Sequence, residues 1–258
     1  MLLTLAAASL IGLSLGLLGS GGSILTVPVL TLLVGQEEKV AIAGSLAVVG
    51  TIALAGAIPW ARQRQVDGRS LVLFGLPGMA GAWIGAWASQ FVSGAVQLTV
   101  FAVLMLAASI LMFRPAPEGE GGTPAPAWLI LLEGLAVGAV TGFVGVGGGF
   151  LIIPALVVLG GLPMHKAVGT SLGIIALKSF TGFWKYRSVL AAEGLELDYA
   201  TLALVAGMGI LGGLAGQRLG SRLPQAALRR VFAVFLVVLG VYLILRHLPE
   251  VLPGEGTA

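Results

Sequence analysis

Lys178 lies deep in an apolar run, 166–186, and Ser171 precedes it by seven residues, with Thr170 adjoining. Seven residues are two helical turns, so Lys178 and Ser171 share a face. Ser45 occupies the equivalent place in an earlier run, 40–60. Hydroxyl donors and one cation on a stripe suit a small oxyanion. An ammonium at membrane depth costs about 2.5–3.5 kcal/mol on insertion scales, so it must face a cavity or a partner. The plainer reading has the hydroxyls bonding backbone or neighbouring helices, and the lysine snorkelling or joining a structural ion pair. A second set of donors is backbone: Gly19-Ser20-Gly21-Gly22-Ser23 and Gly145-Val-Gly147-Gly148-Gly149. Glycine is a poor helix former, so each run is expected to break a helix, with Ser23 or Gly149 capping a short second one. The freed N–H groups and the positive end of the following dipole would hold an anion. Close helix packing is the alternative use of small residues; it suits Gly81-x-x-x-Gly85 and Gly212-x-x-x-Gly216 better. Asp67 and Asp198 are expected to cap helices.

The elements that carry these residues are hydrophobic. Of 258 residues, 57% are apolar and 10% charged, against about 25% charged in a soluble domain; mean hydropathy is +1.04. A soluble fold of this composition would expose large apolar patches. A helix spans the hydrocarbon core in about 20 residues. Eight apolar blocks are apparent: 2–34, 40–60, 70–90, 94–113, 127–161, 166–186, 199–217 and 227–247. The first and fifth, which contain the glycine runs, are too long for one simple span. The first block lacks the positively charged flank of a signal peptide, and its sequence recurs in mid-chain.

That recurrence is a duplication. Gly19-Ser-Gly-Gly-Ser-Ile-Leu-Thr-Val-Pro28-Val-Leu30 aligns with Gly145-Val-Gly-Gly-Gly-Phe-Leu-Ile-Ile-Pro154-Ala-Leu156, six of twelve residues being identical. The same register, an offset of 126, pairs Gly12 with Gly138, Gly16 with Gly142, and Ala41–Leu46 with Ala167–Leu172. After an insertion the offset is 131, pairing Asp67 with Asp198 and the two Gly-x-x-x-Gly motifs with each other. Internal repeats of this kind are typical of secondary transporters.

Two topologies follow. If the long blocks cross once, there are eight spans and parallel repeats, and lysine plus arginine divide seven against six. If they are re-entrant hairpins, six blocks span and the repeats are inverted. One side then receives Arg62, Arg64, Arg69, Arg114, Lys166, Arg218, Arg222, Arg229 and Arg230, and the other Lys39, Lys185, Arg187 and Arg246. Nine against four obeys the positive-inside rule, so the count favours hairpins, with both termini outside the cytoplasm.

Several chemistries are excluded. Cysteine is absent and there are two histidines, His165 and His247, which argues against disulfides, thiolate sites and metal centres. Gly169-Thr-Ser171-Leu-Gly173 fits the nucleophile-elbow pattern but lies in an apolar helix without a histidine partner. No phosphate-loop motif accompanies the glycine runs, and the net charge of +3 is no nucleic-acid footprint.

Gly16-Leu-Leu-Gly19-Ser-Gly-Gly-Ser-Ile-Leu-Thr-Val-Pro28-Val-Leu30, its copy through Pro154, and Gly169-Thr-Ser-Leu172 resemble the sulfite exporter TauE/SafE family, also called the toluene sulfonate uptake permease family. The resemblance covers nearly the whole chain. It implies a membrane permease of about eight hydrophobic segments in two repeats, linked to export or uptake of sulfite, sulfonates, sulfoacetate and related anions. Two departures stand out: Ser23 where the second copy has Gly149, and Lys178 where a neutral polar residue is expected.

The sequence thus predicts an all-α polytopic membrane protein, one transporter domain in the cell membrane: repeat one 1–114, linker 115–126, repeat two 127–247 and tail 248–258. The first segment of each repeat, of about four hydrophobic segments, is broken or re-entrant at its glycine motif. The expected function is alternating-access secondary transport of a small sulfur-containing anion, with a proton or sodium ion as coupling partner. A passive anion channel, or transport of another small carboxylate or inorganic anion, is the alternative. The expected substrate-binding residues are Gly19, Ser20, Gly21, Gly22, Ser23, Ser45, Gly145, Gly147, Gly148, Gly149, Thr170, Ser171 and Lys178. No cofactor, metal, nucleic acid or enzymatic chemistry is expected.

Overall fold

Apolar runs of this length fold as helices because lipid cannot satisfy an open backbone. The computed structural model describes residues 2–18, 21–113, 125–220 and 225–251. Among these there are ten α-helices and no strand: α1 (Leu2–Leu18), α2 (Thr26–Pro28), α3 (Glu38–Arg62), α4 (Gly68–Ala88), α5 (Gly94–Phe113), α6 (Ala127–Val144), α7 (Gly149–Val158), α8 (Met164–Glu193), α9 (Tyr199–Gly220) and α10 (Gln225–Val251). The stretches Glu38–Arg62, Gly68–Phe91, Ala127–Val144, Tyr199–Leu219 and Arg230–His247 are each long and apolar enough to cross a membrane. The 30-residue α8 is not among them. It carries Lys166, Lys178, Lys185 and Arg187, and it packs centrally against α3 and α4. The outer surface is apolar, with Val72, Leu76, Trp83, Val103, Leu132 and Val238 all exposed. Lipid, not water, suits such a face.

Both long blocks break at their glycines. In the second, α6 ends at Val144; Gly145 (φ +72°) and Gly148 (φ +66°) are left-handed, and α7 starts at Gly149. In the first, α1 ends at Leu18, a 3-10 turn covers Gly21–Leu25, and α2 leads into a π-helical turn at Val29–Leu33. The expected caps are corrected here. Gly148, not Gly149, is the N-cap of α7, because only its left-handed backbone makes the turn; Ser23 lies inside the 3-10 turn. Asp67 does cap α4, accepting from the Ser70 amide at 2.7 Å. Asp198 accepts from the Ala200 and Thr201 amides at the start of α9. Its carboxyl is held below the usual carboxylate range by the Thr201 hydroxyl, the Thr201 amide and the Ala200 amide.

Glycine contacts fix the helix directions. Gly138 lies on Gly78, Gly142 on Ala82, and Gly85 on Ala139 and Phe143; the numbers rise together, so α6 runs parallel to α4. Leu71 meets Gly173 and Ala82 meets Gly182, so α8 is parallel to α4 as well. Since α6 and α8 point the same way, the chain between them turns back through α7. A hydrogen bond of 2.7 Å from the Ala125 amide to the Leu159 carbonyl closes the feet of this hairpin. In the other half, Gly12 lies on Gly209 and Gly16 on Gly213, while Gly44 meets Leu202 and Gly56 meets Gln217. Hence α1 and α3 both run parallel to α9, and 21–33 is the returning limb.

One relation organises these contacts. The opening helix of each half packs on the third long helix of the other half, α1 on α9 and α6 on α4. The backbones approach so closely that a Cβ at Gly12, Gly16, Gly138 or Gly142 would collide with the facing carbonyl oxygen. The third and eighth helices cross the centre antiparallel, with Gly50 on Ser179 and Gly169 on Trp60.

These directions sort the charges. Arg62, Arg64, Arg69, Lys166, Arg218 and Arg230 fall at one end of the bundle, and Lys39, Lys185, Arg187 and Arg246 at the other. Arg114 and Arg222, assigned above to the first group, lie outside the described residues, as does most of the linker. At the second end Lys39 pairs with Glu193, and His247 lies 3.3 Å from Glu38.

Candidate functional site

The last carbonyls of α6 have no partners within the helix, and the broken chain supplies them from elsewhere. The Gly145 and Val146 amides donate back to the Thr141 carbonyl. Tyr186 of α8 donates its hydroxyl to the Phe143 carbonyl at 2.6 Å, and Gln97 of α5 donates to the same carbonyl and to Tyr186 Oη. Ser45 Oγ lies between the carbonyls of Ile42 (2.7 Å) and Gly145. Three helices therefore hold the tip. No side chain fits at Gly145, where a Cβ would strike Ile42.

Beyond the tip the chain passes between the two halves. A Cβ on Gly147 would come 3.1 Å from Ser23 Cβ, and would also meet Val49 and Ile175. The two glycine breaks thus meet beside the middle of α3 and α8. Gly147 and Gly148 are buried, and neither amide donates a hydrogen bond among the described residues.

Lys178 enters from α8 at this point. It is 1% exposed, and its Nζ donates to Thr141 Oγ1 at 2.7 Å. A Cβ on Gly148 would sit 2.7 Å from the same Nζ. Among the described residues no carboxylate pairs with it. Thr141 passes its own proton to the Val137 carbonyl at 2.7 Å, so its oxygen is free to accept from the ammonium. At the registers read from sequence, Leu15 and Ile52 take the places of Thr141 and Lys178; both are buried and apolar. Among the described residues, the lysine–threonine pair is found in the second half alone.

Of the expected site residues, Ser23, Ser45, Gly145, Gly147, Gly148 and Lys178 gather at the tip; Gly149 begins α7, and Gly21 and Gly22 open the 3-10 turn. Gly19 and Ser20 lie outside the described residues. Thr170 and Ser171 are engaged elsewhere: Thr170 accepts from the Asp67 amide at 2.8 Å, and Ser171 donates to the Val168 carbonyl at 2.8 Å. Thr141, Gln97 and Tyr186 join the tip residues as candidate site residues that no sequence motif marks.

The sulfite exporter TauE/SafE family matches residues 4–243. The chain belongs to that family. A probable membrane transporter protein of Xylella fastidiosa (strain Temecula1) is 35% identical over 254 residues, covering 95% of each chain. Probable membrane transporter proteins of Bacillus subtilis and Methanocaldococcus jannaschii are 28% and 25% identical, covering 88% and 95% of this chain and 91% and 97% of theirs. No solved structure matches. The family is one of membrane transporters, and the chain is a multi-pass membrane transporter, not an enzyme.

Proposed function

We propose that the chain is a secondary transporter that carries a small sulfur-containing oxyanion, such as sulfite or a sulfonate, at the meeting point of its two glycine breaks. The observation that carries this reading is the buried Lys178 head, whose Nζ has a hydroxyl partner but no carboxylate among the described residues. A cation at that depth needs a counter-charge, and a bound oxyanion supplies it. Lys178 provides charge, the Gly147 and Gly148 amides provide directed donors, and the start of α7 adds its dipole. Gly148 leaves room for the lysine head beside the backbone.

In this reading the halves are copies of one unit, inserted in opposite senses, and each opening segment is a re-entrant hairpin. Reciprocal packing of α1 on α9 and α6 on α4 supports this, as does the excess of positive charge at the Arg62 end, which is then cytoplasmic. The enclosed Lys178 corresponds to an occluded state, and motion about the crossing of α3 and α8 opens the tip to either side.

Counterflow in proteoliposomes tests the proposal, with radiolabelled sulfite and methanesulfonate as probes. Unlabelled anion inside accelerates label entry through an alternating-access carrier. Entry at a rate independent of internal anion identifies a pore and overturns the carrier reading; no entry of either probe overturns the substrate class.

A further inference from the structure

Helix α6 has one ionisable residue, Glu133, in its second turn. It is half-buried, and its Oε2 is enclosed without a hydrogen-bond partner. The elements packed against α6 are α4, α5, α7 and α8. The groups they bring are Arg69 on α4, none on α5 or α7, and His165, Lys166, Lys178, Lys185, Tyr186, Arg187 and Glu193 on α8. Of these, among the described residues, only Lys178 and Tyr186 bond to α6, at Thr141 and at the Phe143 carbonyl. No ion pair or hydrogen bond reaches Glu133 among the described residues. Glu133, Val137 and Thr141 follow one another at four-residue spacing, so Glu133 lies on the stripe that leads to Lys178. It is about 12 Å from Thr141 along the axis, at 1.5 Å per residue, toward the foot closed by Ala125 and Leu159.

Charge balance gives this placement a consequence. If Lys178 is protonated in the empty site, it needs one negative charge within the bundle, and an ionised Glu133, two turns down the same stripe, supplies it. When a monoanion binds Lys178, that negative charge becomes surplus, and a proton on Glu133 removes it. The bundle interior is then neutral both empty and loaded, the condition under which it crosses between orientations at least cost. We propose that Glu133 is the proton-binding carboxyl that couples the two movements, so that one proton travels with each monoanion. This rests on the transport reading above and adds the coupling ion and its site.

Methanesulfonate is the probe of choice, because it stays a monoanion across the usable pH range and so brings no proton of its own. Wild-type protein in proteoliposomes should accumulate it when the outside is made acidic, and a trapped pH dye should report proton entry that depends on methanesulfonate. Glu133→Gln should keep counterflow within about threefold of wild type while losing both acid-driven accumulation and proton entry; Glu133→Asp should recover part of each. Counterflow by the Gln variant shows at once that it is folded and that the carrier reading stands. Retained acid-driven accumulation in Glu133→Gln, or loss of its counterflow together with accumulation, overturns the coupling role. Failure of wild-type counterflow strikes the transport reading itself.

Discussion

Lys178 Nζ and Thr141 Oγ1 are 2.7 Å apart, and the ammonium rests where Gly148 has no side chain. The bond joins the middle of α8 to the last turn of α6, so it ties the buried lysine head to the element that carries the glycine tip. Lys178→Met should lower counterflow at least tenfold while leaving thermal stability in detergent unchanged or higher, since replacing a buried charge by an apolar group of similar volume is often neutral or stabilising. Thr141→Val should cost about two- to tenfold, the worth of one hydrogen bond of roughly 0.5–1.5 kcal/mol. Wild-type transport by Lys178→Met would remove the lysine from the site.

Two glycines with similar backbone separate strain from crowding. Gly35 (φ +76°) has nothing within 4 Å of its Cβ position, whereas Gly145 (φ +72°) faces Ile42 there. Alanine at Gly35 should cost about 1–2 kcal/mol, the penalty of the left-handed conformation. Alanine at Gly145 should cost clearly more, and it should also depress transport. Paired melting curves in detergent check the difference; equal shifts would show that the tip relaxes freely.

The carbonyl of Phe143 receives both Tyr186 and Gln97. Tyr186→Phe and Gln97→Leu should each destabilise by about 1–3 kcal/mol, the cost of leaving a buried polar group less well satisfied. The double variant should exceed the sum, because either residue alone still serves the carbonyl and only the double leaves it bare. Melting temperatures of the four proteins close the cycle.

On the inverted-repeat reading proposed above, the helix directions predict sides. Because the chain has no native cysteine, single cysteines at Gln63 and Glu196 can be labelled without background. Gln63 should react only from the cytoplasm, Glu196 only from outside, and a cysteine in the first turn of α1 with Glu196. Labelling of α1 together with Gln63 would show that the opening segment crosses once.

Much of this arrangement is legible in the residues. The pairing of Gly12 with Gly138 and of Gly81 with Gly212 is visible as spacing, and every one of these glycines lies in a backbone-to-backbone helix contact. Helix breaks at the glycine runs and caps at Asp67 and Asp198 are likewise local effects, set by backbone freedom and by short side chains. Lys178 stands out because a charge in an apolar run has few innocent explanations. Its partner does not: Thr141 looks like any threonine bonding back to its own helix, and only α8 packing beside α6 gives it a second role. Tyr186 and Gln97 escape for the same reason, since they serve a carbonyl more than 40 positions away. Thr170 illustrates the reverse error. Its neighbour Ser171 shares a face with Lys178, but the hydroxyl of Thr170 is claimed by the backbone of the loop before α4.

The exchange of partners between halves also bears on how the protein is made. Helix α1 leaves the ribosome long before its partner: the surface it fits belongs to α9, on the order of 180 residues later, a wait of roughly ten to forty seconds at ordinary synthesis rates. During that interval the grooves at Gly12 and Gly16 face lipid or an insertion chaperone, and the limb at 21–33 has no far half to meet. By contrast α6 finds α4 already in place. The second hairpin therefore has a template to close on as it emerges, while the first must be kept from wrong neighbours until α9 has been made.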